Sequence, residues 1–283
     1  MSRRLRADLA GVVLGEGSPV AIMGVINVSP ESFHAGSVYQ HDEAMLAVAL
    51  AMVQAGAVLI DVGARASAPY RETAITEAEE TRRLVRAVGT LAAKLPVPVS
   101  ADTSRPTVAC AALEAGARIV NDVSAIADPA LARVAAEHDA GLILMAAPGP
   151  GRSLDAPVAT VSAILKTALA TARAAGVPSE RIVLDPGIGF FREADVAWHV
   201  WDVAVLAGLP TLATLGRPLC VGVSRKSFVG AITGRDDPQD RLAGSLAATA
   251  VAVLGGAALI RTHDVAATAD AVRVAERVRA ARA

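Results

Sequence analysis

The feature that most restricts the fold is a repeat: across 283 residues, short β-branched or apolar runs alternate eight times with longer Ala-rich stretches of helical period. The candidate strands are Ala21–Ile26, Ala57–Val62, Val97–Ala101, Arg118–Val123, Gly141–Met145, Arg181–Leu184, Leu219–Val223 and Ala257–Arg261. Helices are expected over Glu43–Ala55, Thr76–Lys94, Pro106–Ala115, Pro129–His138, Ala159–Ala175, Ala194–Leu206, Gln239–Leu254 and Ala267–Ala281. Several end in a Gly-Ala or Ala-Gly pair just ahead of the next strand, as helix stops commonly do. Strand ends recur about every 34 residues, which suits one strand-helix unit. Eight such units favour an α/β fold closed as a single-domain (β/α)8 TIM barrel, with an open doubly wound sheet as the alternative. Residues 1–20 precede the repeat and read as an N-terminal extension, so the barrel is expected over 21–283.

Hydrophobic residues make up 53% and charged residues 19%, enough to bury a large core without disulfide or metal staples. With 3% aromatics, Ala, Val, Leu and Ile must do the packing. A net charge of −1 offers no basic field for nucleic acid or an anionic membrane, so an anionic ligand has to be held by a few placed groups. Cys110 and Cys220 lie in apolar stretches without Cys-x-x-Cys or Cys/His spacing and read as buried thiols in a reducing, cytoplasmic setting, with neither disulfide nor zinc site. The apolar stretch Leu9–Leu14 is too short for a signal-peptide core, and no stretch reaches the ~18 apolar residues of a membrane span.

In a barrel the C-terminal strand ends surround one mouth, so polar groups there meet although they are remote in sequence. Taken in order, these ends carry Asn27, Asp61, Asp102, the pair Asn121 and Asp122, Asp185, the run Ser224, Arg225 and Lys226, and Arg261 with His263. Any single one could instead cap the next helix. Lys226, Arg261 and His263 are poor caps, however, and Asp102 and Asp185 directly follow apolar runs. The loop that begins at Asn27 is polar and glycine-bearing, the composition of a binding lid. Gly187 and Gly189 beside Asp185 would let the backbone approach a flat ligand closely.

The stretches Met23-Gly-Val-Ile-Asn-Val-Ser-Pro, Ile60-Asp-Val-Gly, Asp102-Thr, Ala115-Gly-Ala-Arg-Ile-Val-Asn-Asp-Val-Ser, Leu184-Asp-Pro-Gly-Ile-Gly-Phe, Val221-Gly-Val-Ser-Arg-Lys-Ser-Phe-Val-Gly and Arg261-Thr-His-Asp-Val resemble, in order, the motifs of the dihydropteroate synthase family. The resemblance spans about Ala21 to Ala275. It implies condensation of (7,8-dihydropterin-6-yl)methyl diphosphate with 4-aminobenzoate, the diphosphate leaving before the arylamine attacks. It assigns the pterin pocket to Asp102, Asn121, Met145, Asp185, Lys226 and Arg261, and the aminobenzoate pocket to Ser67, Pro69, Phe190, Ser224 and Ser227. Asn27, Lys226, Arg261 and His263 would be catalytic, Asn27 and His263 holding the diphosphate with a Mg²⁺ that Asn27 ligates. The resemblance also implies a homodimer, for which the Ala-rich faces of Gln239–Leu254 and Ala267–Ala281 are available.

The chain departs from the family at the mouth. The second loop usually reads Asp-x-Gly-Gly-Glu-Ser-Thr-Arg-Pro-Gly, whereas here Ser67 replaces the threonine and Ala68 the arginine, leaving Arg65 and Arg71 as candidate substitutes. Ala146 and Ala147 follow Met145 where Met-His-Met is common, and Phe190-Phe191-Arg192 stands where Phe-Gly-Lys is usual. These changes suggest either tolerance of sulfonamides or a larger, ribosylated arylamine of the methanopterin type. A pterin-dependent methyltransferase and a non-catalytic pterin-binding paralogue are readings from other classes.

Overall fold

The computed structural model describes residues 5–28, 38–65, 75–149, 156–192 and 196–282. Among these lie ten strands and ten α-helices. The strands are β1 (Arg6–Leu9), β2 (Val12–Gly15), β3 (Ala21–Asn27), β4 (Leu59–Gly63), β5 (Val99–Asp102), β6 (Ile119–Asp122), β7 (Gly141–Met145), β8 (Ile182–Asp185), β9 (Leu219–Val221) and β10 (Ala257–Thr262). The helices are α1 (Val38–Gln54), α2 (Glu77–Ala92), α3 (Pro106–Glu114), α4 (Ala130–Glu137), α5 (Pro157–Ala174), α6 (Trp198–Ala207), α7 (Leu209–Ala213), α8 (Ser227–Thr233), α9 (Leu242–Leu254) and α10 (Val265–Ala280). Strands β3 to β10 pair in parallel and in chain order, and β10 returns to β3, so the sheet closes into a barrel and the open-sheet alternative falls.

Each strand of the closed sheet buries both of its faces. Successive side chains on a strand face opposite ways. Ile22, Ile60, Val120, Leu142, Leu184, Val221 and Ile260 point outward into a core shared with Leu84, Leu91, Val161 and Trp201 of the helices. Their sequence neighbours Met23, Leu59, Ile119, Ile143, Val183, Cys220 and Leu259 point to the barrel axis. Both faces are therefore apolar, which is why the strands read as continuous runs without alternation.

The N-terminal extension contains an antiparallel hairpin, β1 with β2. Its Ala7, Leu9 and Leu14 are buried against the inward row, so the hairpin plugs the end of the barrel where the strands begin. At Gly141 a Cβ would come within 2.8 Å of Leu9 Cδ2, a hole fitted to that knob. The other end stays open. Two residues further along, six of these strands continue the inward row as Asp61, Asn121, Met145, Asp185, Gly222 and Arg261, and β3 continues it as Val25, by the same alternation.

Most expected elements are present, with ends displaced by one to a few residues. The sixth expected helix, Ala194–Leu206, is shorter and is followed by α7, with Gly208 between them; residues 193–195 lie outside the described set. Gln239–Leu254 begins as a 3₁₀ turn, Pro238–Arg241, before α9. Helix α8 was not anticipated, because its seven residues are too few for helical periodicity to register. No helix among the described residues is long and apolar enough to cross a membrane.

Candidate active site

At the open end, one pocket is lined by Asp102, Asn121, Met145, Asp185, Phe190, Lys226 and Arg261 together with Val123, Ile188 and Gly222. All six residues assigned from sequence to the heterocycle are thus brought together, from six different strands or strand-following loops.

The floor is an ion-pair network around Arg261. Its Nε donates to Asp61 Oδ2 at 2.8 Å, and Nη2 donates to Asp102 Oδ2 at 2.8 Å. Asp61 is fully buried and also accepts from Ser100 Oγ at 2.7 Å and Asn121 Nδ2 at 3.1 Å. Sequence reasoning placed Asp61 at a strand end but gave it no role; its role is to hold two pocket side chains in place. Asn121 donates one of its two side-chain N–H groups to Asp61, which leaves the other N–H and the side-chain oxygen for a ligand. Burial pushes the Asp102 carboxyl well above the usual carboxylate range and the charge of Asp61 adds to this, while Arg261 opposes both.

Asp185 accepts from the Gly187 amide at 2.8 Å. Burial raises its pKa, partly offset by the Gly187 bond and by Lys226 and Arg261. The turn needs glycine at 187, where φ is +69° and a Cβ would strike the Ala146 carbonyl. Gly189, at φ +90°, lies under the Lys226 side chain, and a Cβ there would meet Lys226 Cδ at 2.9 Å. Lys226 Nζ stands 4.4 Å from the Phe190 ring centroid. Burial and the nearby Arg261 lower its pKa to about 8, against the pull of Asp185 and Asp202.

Asp202 was missed in sequence because it sits inside α6, away from any strand end. Its Oδ1 accepts from the Gly189 amide at 2.7 Å, while Oδ2 is buried without a hydrogen-bond partner. Burial raises its pKa to about 6. A buried acid in an otherwise apolar helix is the signal that could have marked it.

Around the rim, Asn27 ends β3, paired in register with Gly63 of β4. Ser224 Oγ lies 3.0 Å from His263 Nδ1 and accepts the His263 backbone N–H at 3.3 Å. Restricted hydration within the mouth, then Arg261 and Arg225, hold the His263 pKa well below the ordinary histidine range, although one side of the residue is open to solvent. Arg192 is hydrogen-bonded to Ser227 Oγ and lies 4.2 Å over the Trp198 ring. Phe191 turns away from the mouth and stacks on Trp201, centroids 4.9 Å apart. Arg65 Nη2 reaches Ser104 Oγ at 3.4 Å, and its charge acts on Asp102. Ser67, Pro69, Ala68 and Arg71 lie outside the described residues, as does most of the loop after Asn27.

Two polar strand-end residues prove structural. Asp122 accepts from Ser124 and from the Ile126 amide, anchoring its own loop, and Arg225 forms a two-point ion pair with Asp264.

Comparison with known proteins bears on the family and the fold. The family described as pterin binding enzyme matches residues 23–263. The dihydropteroate synthase of Synechocystis is 38% identical over 92% of this chain and 90% of its own length. That of Escherichia coli is 34% identical over 90% of each. Among solved structures, Xanthomonas albilineans dihydropteroate synthase with 4-aminobenzoic acid superposes with a TM-score of 0.88 at 38% identity, covering 98% of this chain and 99% of that one. The same enzyme in complex with 7,8-dihydropteroate gives 0.85 at 38% identity, over 97% and 99%.

Proposed function

Because the chain belongs to the dihydropteroate synthase family of pterin-binding enzymes and is an alkyl-transferring enzyme of folate biosynthesis, we propose how its own residues divide that work. The substrates are small molecules, a pterin diphosphate and 4-aminobenzoate. The single observation that carries the assignment is the convergence of Asp102, Asn121, Asp185, Lys226 and Arg261 on one pocket.

A pterin ring offers an amidine-like edge of N–H donors beside a carbonyl oxygen. Asp185 accepts from that edge, the Asn121 carbonyl accepts beside it, and Lys226 donates to the carbonyl oxygen. Arg261, held at its Nε and Nη2 by two carboxylates, presents its plane to the ring. Asp61 and Asp185 supply negative charge where a pterin-methyl cation would develop, a preorganised field that needs no covalent nucleophile. His263, with its Nδ1 beside Ser224 Oγ, serves the diphosphate as a hydrogen-bond donor. Arg65 takes the place of the arginine that Ala68 lacks, since it already stands at Ser104 on the mouth side of Asp102. The arylamine lies against Phe190 and Ser224, its carboxylate toward Ser227 and Arg192.

The family's chemistry requires no tightly bound cofactor. Among the described residues, no trio of His, Cys, Asp and Glu gathers at the end of β3 that could form a metal cage. Asn27 at the end of β3 offers a neutral amide oxygen, a hard donor of the kind that suits Mg²⁺, which keeps most of its waters and takes substrate phosphate oxygens plus one or two protein ligands. The Asn27 side-chain oxygen would be the protein ligand, and the ion would neutralise charge on the departing diphosphate. Arg192, tethered to Ser227 and over Trp198, stands at the rim where an inhibitor longer than 4-aminobenzoate would extend, which supports reduced sulfonamide sensitivity, whereas Phe191 is buried away from it.

The deciding experiment measures diphosphate release with a panel of arylamines, with and without a sulfonamide. Turnover with 4-aminobenzoate and a weakened drug constant are expected. Orders-of-magnitude preference for a ribosylated arylamine would overturn the substrate assignment, and ordinary drug sensitivity would remove the resistance reading.

A further inference from the structure

On the outside of the barrel, away from the mouth, Cys110 and Glu114 of α3 and His138 at the C-terminal cap of α4 converge. Cys110 Sγ lies 3.7 Å from Glu114 Oε1 and 3.9 Å from His138 Nε2, and one ligand atom from each of the three falls within 4.8 Å of the others. Tetrahedral zinc with bonds of 2.0–2.3 Å to sulfur, nitrogen and oxygen sets its ligand atoms about 3.5 Å apart. The cluster thus stands within a few tenths of an ångström of that spacing along its two sulfur edges.

The second observation concerns the imidazole. His138 Nδ1 is 3.0 Å from the Val134 carbonyl oxygen. A carbonyl can only accept, so Nδ1 carries the hydrogen and Nε2 turns its lone pair toward Cys110. Zinc-bound histidines are habitually oriented in this way, the far nitrogen donating to a carbonyl or carboxylate. Cys110 and Glu114 are one helical turn apart, which places both on the same face toward α4.

We propose that Cys110, Glu114 and His138 form a zinc-binding site that clips the end of α3 to the end of α4. One thiol, one imidazole and one carboxylate suit Zn²⁺ better than Mg²⁺ or Ca²⁺, which prefer oxygen alone. The fourth position is open to water. Binding exchanges the Cys110 proton for the metal, forming the Zn–S bond and releasing one H⁺ to solvent with no change of oxidation state. The helix ends concerned lead into the starts of β6 and β7, the barrel end opposite the mouth, so the site acts on stability and leaves the reaction alone.

The test uses the full reduced chain titrated with Co²⁺ and Zn²⁺. Expected are one ion per chain, a thiolate-to-cobalt charge-transfer band, proton release on zinc addition and a zinc-dependent rise in Tm. Cys110→Ala and His138→Ala should each weaken binding at least about tenfold while turnover of 4-aminobenzoate is unchanged. Glu114→Gln should give an intermediate loss. Absence of the charge-transfer band in a several-fold excess of Co²⁺, or equal zinc affinity in the wild type and both Ala variants, would overturn the proposal.

Discussion

Lys226 carries the clearest pH signature among the pocket residues. With its pKa lowered to about 8, it is a cation below that value and neutral above it. Pteridine affinity measured by calorimetry should therefore fall as pH rises through about 8. The total loss should be roughly ten- to a hundredfold, the worth of one charge-assisted hydrogen bond. Asp202→Asn keeps an acceptor for the Gly189 amide but removes the negative charge that raises the lysine's pKa, so the same limb should move to lower pH. An unmoved limb would confine Asp202 to packing. Arg261→Met strands Asp61 and Asp102 without their counterion, at a cost of about 3–5 kcal/mol. The Asp102 pKa is already raised in the fold, so its protonated form is the better tolerated one. The sign follows: the variant's deficit in denaturant melts should be greatest at alkaline pH and shrink as pH falls, because a protonated Asp102 needs no cation.

Among the elements, the hairpin β1–β2 does the least expected work. Leu9 and Leu14 are fully buried at the plugged end of the barrel. Leu9→Ala should cost about 2–5 kcal/mol, read as a lower denaturation midpoint at unchanged slope. KM for both substrates should not move, since the mouth lies at the other end. The hairpin was not legible as strands because each has four residues and its second strand has half-exposed flanks, too little pattern against a charged N-terminus. The barrel strands were legible because both of their faces are covered. Their apolar runs ended in polar groups, and those groups became the site.

Several helices among the described residues leave apolar side chains exposed, and α9 and α10 are the pair available to a second copy. Helices α9 and α10 leave Val251, Val274 and Val278 exposed. Sedimentation velocity should give a species of twice 28.8 kDa, and Val274→Arg should shift it toward the monomer. The repeat of strand and helix determined from sequence a set of eight parallel strands covered on both faces, and the pairing of β10 with β3 decided that they close into a barrel instead of an open sheet. The strand-end motifs likewise determined which acid, amide and cation residues form the pocket. What sequence could not decide is how they pair. Asp61 reads like any other strand-end aspartate, yet its parity turns it inward beneath Arg261 and Asn121, whereas Asp122 faces outward and ties down a loop. Asp202 joins the site because the loop after β8 folds onto α6, and Cys110 meets His138 because α3 and α4 pack side by side. Local pattern records which way a side chain faces along its own element. Its partner across the gap is set by how the elements are stacked.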